Sequence, residues 1–158
     1  MDLKLVLGPD EVVELITRGF GASEPFFRVD ELRPGHVRAT MPFRSWMLRP
    51  GGVISGPALF TAADLAMYAL VLAHSGPQLM AVTTNLNMHF LNKGLAADVH
   101  AEGTLLKQGR RLAVMDVRLR CGGAPELVAT ASGSYALRIQ QQLLASGLSP
   151  DQQFIIAH

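Results

Sequence analysis

Cysteine is almost absent: Cys121 is the only one in 158 residues. An intrachain disulfide is therefore excluded, and a reducing compartment fits. An excess of one charge is also missing. Fourteen Lys and Arg face thirteen Asp and Glu, a formal net charge of +1. That leaves no large field for a nucleic acid. Charged residues are only 17% against 49% hydrophobic, so the chain folds rather than staying disordered. The histidines, His36, His74, His89, His100 and His158, have no ligand spacing, and one cysteine cannot build a zinc knuckle. The expectation is no metal and no cofactor. Arg49-Pro50-Gly51-Gly52 lacks the Lys-Ser/Thr of a phosphate-binding loop. Ser55-Gly56 is no nucleophile elbow, because Gly-x-Ser-x-Gly is absent. Repeats, linkers and low-complexity runs are missing. The start Met1-Asp2-Leu3-Lys4-Leu5 lacks the pattern of a signal peptide, so a cytoplasmic location is expected.

What is there is one long apolar stretch, from Gly52 to Ala73. It reads as a helix over about residues 56–74 that is apolar on nearly every side, hence a buried one. Asp64 is its only formal charge. A buried carboxylate is paired, protonated or at work, because burying the bare charge is costly. Gly51-Gly52 makes a flexible approach, Ser55 can cap, and Pro57 suits a first turn. Gly56 lets a visitor come close to free N–H groups at the positive end of the helix dipole. Three plainer readings compete. A membrane span is opposed by Gly-Pro near the start, Asp64 in the middle and the lack of flanking basic clusters. Asp64 on the wet edge of a core helix, or held as a structural carboxylate, are the others. A mean hydropathy of +0.23 without a convincing span points to surface hidden in an oligomer.

Pro9 to Gly19 reads as a short amphipathic helix with acid in its first turn. It is expected to pack as a lid on the sheet or on a neighbour. Residues 26–32 and 36–41 read as a hairpin around Arg33-Pro34-Gly35. Residues 43–50 read as an irregular approach to the helix. Trp46, Met47, Phe60 and Met67 either line an apolar pocket or pack in the core. Three long strand runs and a last one follow, over 81–91, 98–107, 112–120 and 127–137. Alternation in the first places Val82, Thr84, Leu86, Met88 and Phe90 on one face. Thr83, Asn85, Asn87 and His89 take the other, which is polar. Asp64, the helix start and the face around Thr83 form one candidate constellation, with Asn85 as a further substrate contact. The turn Gly109-Arg110-Arg111, with Lys93, either binds phosphates or is a solvated turn. The order of elements suggests one α+β domain over residues 1–158, with a core over about 26–138 and a tail over 139–158. Its antiparallel sheet of about five or six strands curves around the helix.

The Gly52–Ala69 stretch, the Val82–Leu91 run, Gly109-Arg110-Arg111 and the Val128-Ala129-Thr130-Ala131 strand together resemble the hotdog-fold acyl-CoA thioesterases. The phenylacetate-degradation (PaaI-type) branch is the nearest, akin to 4-hydroxybenzoyl-CoA thioesterases. The resemblance implies a sheet wrapped around one helix, and a homodimer or homotetramer with sites between subunits. It implies an acyl-CoA substrate, with CoA part of the substrate and no separate cofactor, nucleic acid or membrane. The family motif is Asn-x-x-Gly-x-x-His-Gly-Gly, then a carboxylate nine residues after the His. Asp64 falls on that carboxylate, the base or nucleophile. Gly52 falls on the first Gly, and Gly56 on the Gly whose N–H holds the thioester oxygen. Thr83 falls where relatives orient the attacking water across the interface. Gly109-Arg110-Arg111 falls where relatives contact CoA phosphates. Ser55 stands for the His, Pro57 for the last Gly and Arg49 for the Asn. Ser55 is then expected to position water, and Arg49 to pair with Asp64 or with a substrate carboxylate. The missing His motivates a second reading, a non-catalytic acyl-CoA or aryl-ligand binder. A third is a hotdog dehydratase, which would pair His89 with an acid.

Overall fold

The computed structural model describes residues 2–137. Its centre is α2, Gly56–Ser75. Ser55 caps the helix: its Oγ accepts from the Ala58 N–H at 3.3 Å. Pro57 occupies the first turn, and Gly76 ends the helix with φ +78°. Small side chains dominate the buried faces, among them Ala58, Ala62, Ala63, Ala66, Ala69 and Ala73. They let the sheet approach the helix axis closely. By length and hydropathy α2 is apolar enough to cross a membrane. Here the sheet covers that apolar surface instead.

The sheet has six antiparallel strands in the order β1-β2-β6-β7-β8-β5. They are β1 Arg28–Arg33, β2 His36–Met41, β5 Val82–Phe90, β6 Val99–Gln108, β7 Leu112–Cys121 and β8 Ala129–Ala136. Val37, Ala39, Val99, Ala101, Met115, Val117 and Leu119 point inward onto α2 and are buried. Alternation of apolar and polar residues in β6 and β7 follows from that one-sided cover. β6, β7 and β8 follow one another in the sheet as in the chain, whereas β5 leaves its sequence neighbour β6 and pairs with β8 at the far edge. The stretch expected to be irregular also contains a small ladder, β3 Leu48–Arg49 with β4 Val53–Ile54.

The first helix, α1 Pro9–Gly19, has the expected bounds. The Glu11 carboxylate accepts the Gly8 N–H at 2.8 Å, which caps it. Val12 and Ile16 bury one face against β1 and α2. Three further ties close the far end of α2. The Val6 N–H donates to the Ala73 carbonyl at 2.7 Å. The Gly35 N–H donates to His74 Nε2, and His74 Nδ1 lies 2.8 Å from the Leu70 carbonyl. Accepting from Gly35 requires Nε2 to be unprotonated, so His74 is a neutral structural link between helix and hairpin. Met47 and Met67 are wholly buried, so they belong to the core and not to a pocket wall; Trp46 and Phe60 are exposed. The tail read over 139–158 lies outside the described residues.

Candidate active site

Asp64 sits mid-way along α2 on the one stripe that the sheet leaves partly open. Phe60 and Tyr68 flank it one turn away on each side. Two strands meet at this point. Thr83 on β5 and Tyr135 on β8 are register partners in the ladder. The Thr83 hydroxyl donates to Asp64 Oδ1 at 2.8 Å, and the Tyr135 hydroxyl donates to the same oxygen at 2.7 Å. Among the described residues no hydrogen bond or ion pair reaches Oδ2. The carboxylate is thus anchored through one oxygen and presents the other.

Thr83 reaches Asp64 because of an irregularity that alternation alone does not reveal. Thr83 pairs with Tyr135, but Asn85 pairs with the adjacent Ser134, so Thr84 is an extra residue. Such a β-bulge switches the parity of the strand. Beyond it, Leu86 and Met88 point toward the core, opposite Gly133 and Ala131. Before it, Thr83 points the same way. The expected faces are corrected accordingly. Thr83 joins Leu86 and Met88 on the helix side. Thr84, bonded to the Ser134 side chain at 2.9 Å, turns outward with Asn85, Asn87 and His89. Asn85 therefore lies on the opposite face of the sheet from Asp64 and makes no contribution to this cluster. His89 does likewise, so it forms no pair with Asp64 within one chain.

Gly133 is part of the construction. A Cβ there would lie 2.6 Å from the Asn85 carbonyl and 3.0 Å from Met67 Sδ, so only glycine lets the bulged edge close on the helix.

Tyr135 stacks on Tyr68, with ring centroids 5.8 Å apart and planes within 9°. Burial, then the Asp64 charge, pushes the Tyr68 hydroxyl up to about 12. Burial and then Asp64 push Tyr135 further in the same direction. Tyr135 consequently remains a proton donor to Asp64 over the whole neutral range. Tyr135 was not legible as a site residue. Its signal was faint: one aromatic hydroxyl in a strand otherwise made of Ala, Thr, Ser and Gly.

The remaining candidates form a second group at the start of α2. Arg49, Gly56, Leu59, Phe90 and Lys93 line an open groove of about 440 Å³. The Phe90 ring packs close to Gly56: a Cβ there would stand 3.3 Å from it. The Gly56 N–H has no intrahelical acceptor, as at any helix start. Ser55 is committed to its cap. Gly52 takes φ +69° in the turn between β3 and β4, where its N–H donates to the Arg49 carbonyl at 3.1 Å. Its role here is the turn. Arg49 is exposed and forms no ion pair with Asp64, which corrects that expected pairing.

These two groups are separate within one chain. Gly56 and Asp64 are eight positions apart on one helix, about 12 Å along its axis. Thr83 and Phe90 mark opposite ends of β5, about 23 Å apart. The Gly109-Arg110-Arg111 turn lies at the Thr83 end, since Leu112 pairs with Ala136, which pairs with Val82. All three turn residues are exposed.

A family model for the thioesterase superfamily matches residues 51–128. The crystal structure of a candidate thioesterase from Silicibacter sp. is 34% identical to this chain. The match covers 86% of this chain and 95% of that one, with a TM-score of 0.77. The phenylacetic acid degradation protein PaaI from Thermus thermophilus, in a mutant form, is 26% identical, with 71% and 93% covered and a TM-score of 0.61. Zebrafish thioesterase superfamily member 2 is 20% identical, with 84% and 99% covered and a TM-score of 0.72, a likeness of fold alone. None of the curated proteins matches the sequence significantly.

Proposed function

The chain belongs to the thioesterase superfamily, and we propose that it hydrolyses an acyl-CoA thioester to the free acid and CoA. The observation that carries this reading is the state of Asp64: one oxygen held by two hydroxyls, the other unpartnered, on an open stripe of an apolar helix. In the general-base route, Oδ2 takes a proton from water while the water oxygen bonds to the thioester carbon. The oxyanion that forms is held by the Gly56 N–H. The carbon–sulfur bond then breaks, and the proton passes from Asp64 to the departing CoA thiolate. In the nucleophilic route, Oδ2 itself bonds to the thioester carbon and the carbon–sulfur bond breaks, releasing the CoA thiolate and leaving a mixed anhydride. Water then cleaves the anhydride to the free acid and the Asp64 carboxylate, one of its protons going to the thiolate.

Either route needs Gly56 and Asp64 on one carbonyl, which their separation along α2 forbids within a chain. A second copy supplies the missing half in this proposal. β5 is an uncovered edge strand with Val82 and Phe90 exposed. A two-fold pairing of β5 with its copy is antiparallel, so it sets the Phe90 and Gly56 end of one protomer against the Thr83 and Asp64 end of the other. Arg110 and Arg111 of one protomer and Arg49 and Lys93 of the other then flank the same site, where they suit CoA phosphates. Asn85 and Gly52 are left outside it.

Thiol release from short, long and aryl acyl-CoAs, by wild type and by Asp64→Asn, tests the proposal. Turnover is expected to fall on the order of 10²–10⁴-fold in the variant. Equal turnover in both proteins removes Asp64 from the chemistry. A raised melting temperature with an acyl-CoA but no thiol release establishes the binding protein instead.

A further inference from the structure

We propose that Tyr135 is a positioning residue for Asp64: together with Thr83 it clamps Oδ1 and so dedicates Oδ2 to the reaction. The inference rests on the thioesterase reading for its kinetic arm, and on geometry alone for its spectroscopic arm. Tyr135 and Thr83 approach from neighbouring strands, and both donate to the same oxygen. A carboxylate held by one donor can rotate about its Cβ–Cγ bond and exchange its oxygens. Two donors from directions fixed by one ladder rung remove that freedom. The Tyr135 ring is itself held, stacked flat on Tyr68 and almost fully buried. The groups facing Asp64 are Tyr68 on its own helix, Thr83 on β5 and Tyr135 on β8, and among the described residues no Lys, Arg or His pairs with it. With no cation present, the two hydroxyls are what orient the carboxylate and leave Oδ2 open.

Tyr135→Phe keeps the ring and its stack and removes only the donor. Loss of one donor frees the carboxylate to turn, so kcat is expected to fall about tenfold with KM little changed. Thr83→Val should split kcat and KM in the same way. Tyr68→Phe, which removes a neighbouring hydroxyl that does not bond Asp64, should leave both in place.

The clamp is read without substrate from the Tyr135 Cζ resonance of the full-length protein, which should move in Asp64→Ala, a measurement that survives even if Tyr135→Phe does not fold. A Tyr135 resonance indifferent to Asp64→Ala, or a Tyr135→Phe protein with wild-type kcat, overturns the proposal. If Asp64→Asn retains full turnover, the role of Asp64 in the thioesterase reading fails, while the Tyr135 resonance still decides the clamp.

Discussion

The two edges of the sheet carry the same device and use it for opposite ends. Each edge strand is bulged. In β1 the register slips between Val29 and Glu31, and in β5 between Thr83 and Asn85. In β1 the extra residue is Asp30. Its carboxylate accepts from Arg28 at 2.8 Å and from the Thr40 hydroxyl, while Glu31 takes Arg38 at 3.0 Å and Arg33. With α1 packed beside it, this edge is blunted by charge and cover. β5 has no Lys, Arg, Asp or Glu at all, and its two ends expose Phe90 at 60% and Val82 at 58%. Its bulge delivers a hydroxyl to Asp64. One edge is closed against partners; the other is bare, and bears the candidate site.

The sharpest way to break this contrast is to charge the bare edge. Asn87→Lys sits near the middle of β5, where a two-fold pairing sets each new lysine close to its copy. Light scattering should show a monomer, and thiol release should fall on the order of 10²-fold because half of each site is lost. Val29→Lys on the blunted edge should leave the oligomer unchanged. A wild-type protein that is already monomeric, yet active, would defeat the two-protomer site.

A smaller effect tests the bulges themselves. Deleting Thr84 removes the extra residue and leaves Thr83 opposite Tyr135 and Asn85 opposite Ser134, so Thr83 stays on the helix side. Turnover should fall less than the about tenfold expected of Thr83→Val, which removes one charged hydrogen bond. Deleting Asp30 should lower the melting temperature and spare turnover per folded protomer. If the Thr84 deletion lowers turnover as far as Thr83→Val does, the bulge itself and not the hydroxyl alone serves the site. The smallest effect belongs to the charges of β1. Arg28 is more than half exposed, so Arg28→Ala should cost no more than about 1 kcal/mol in denaturant unfolding, and less at high salt.

Much of this was legible from residues alone. The bounds of α1 and α2, the cap at Ser55 and the strand runs follow from local preferences and periodicity, which are written in adjacent residues. Asp64 stood out because one carboxylate in an apolar helix has few explanations. Asn85 was misplaced and Tyr135 missed for one reason. Alternation assumes an unbroken ladder, and a bulge is set by the partner strand. Nothing in Thr83-Thr84-Asn85 says that Ser134 will pair with Asn85 and leave Thr84 over. Arg49 was expected near Asp64 from nearness in sequence, whereas the start of α2 and its middle are kept apart by the rise of the helix.

By itself, then, the sequence determined a helix too apolar to be anything but enclosed, strands able to enclose it, and a single carboxylate that had to be accounted for. Burial preference and backbone periodicity act over a few residues and need no partner. Only the tertiary structure decided which strand became the open edge, which way Thr83 points, and that Tyr135, seventy-one residues further along the chain, is bonded to Asp64. Those outcomes depend on pairing across the sheet, where one extra residue reverses every side chain beyond it.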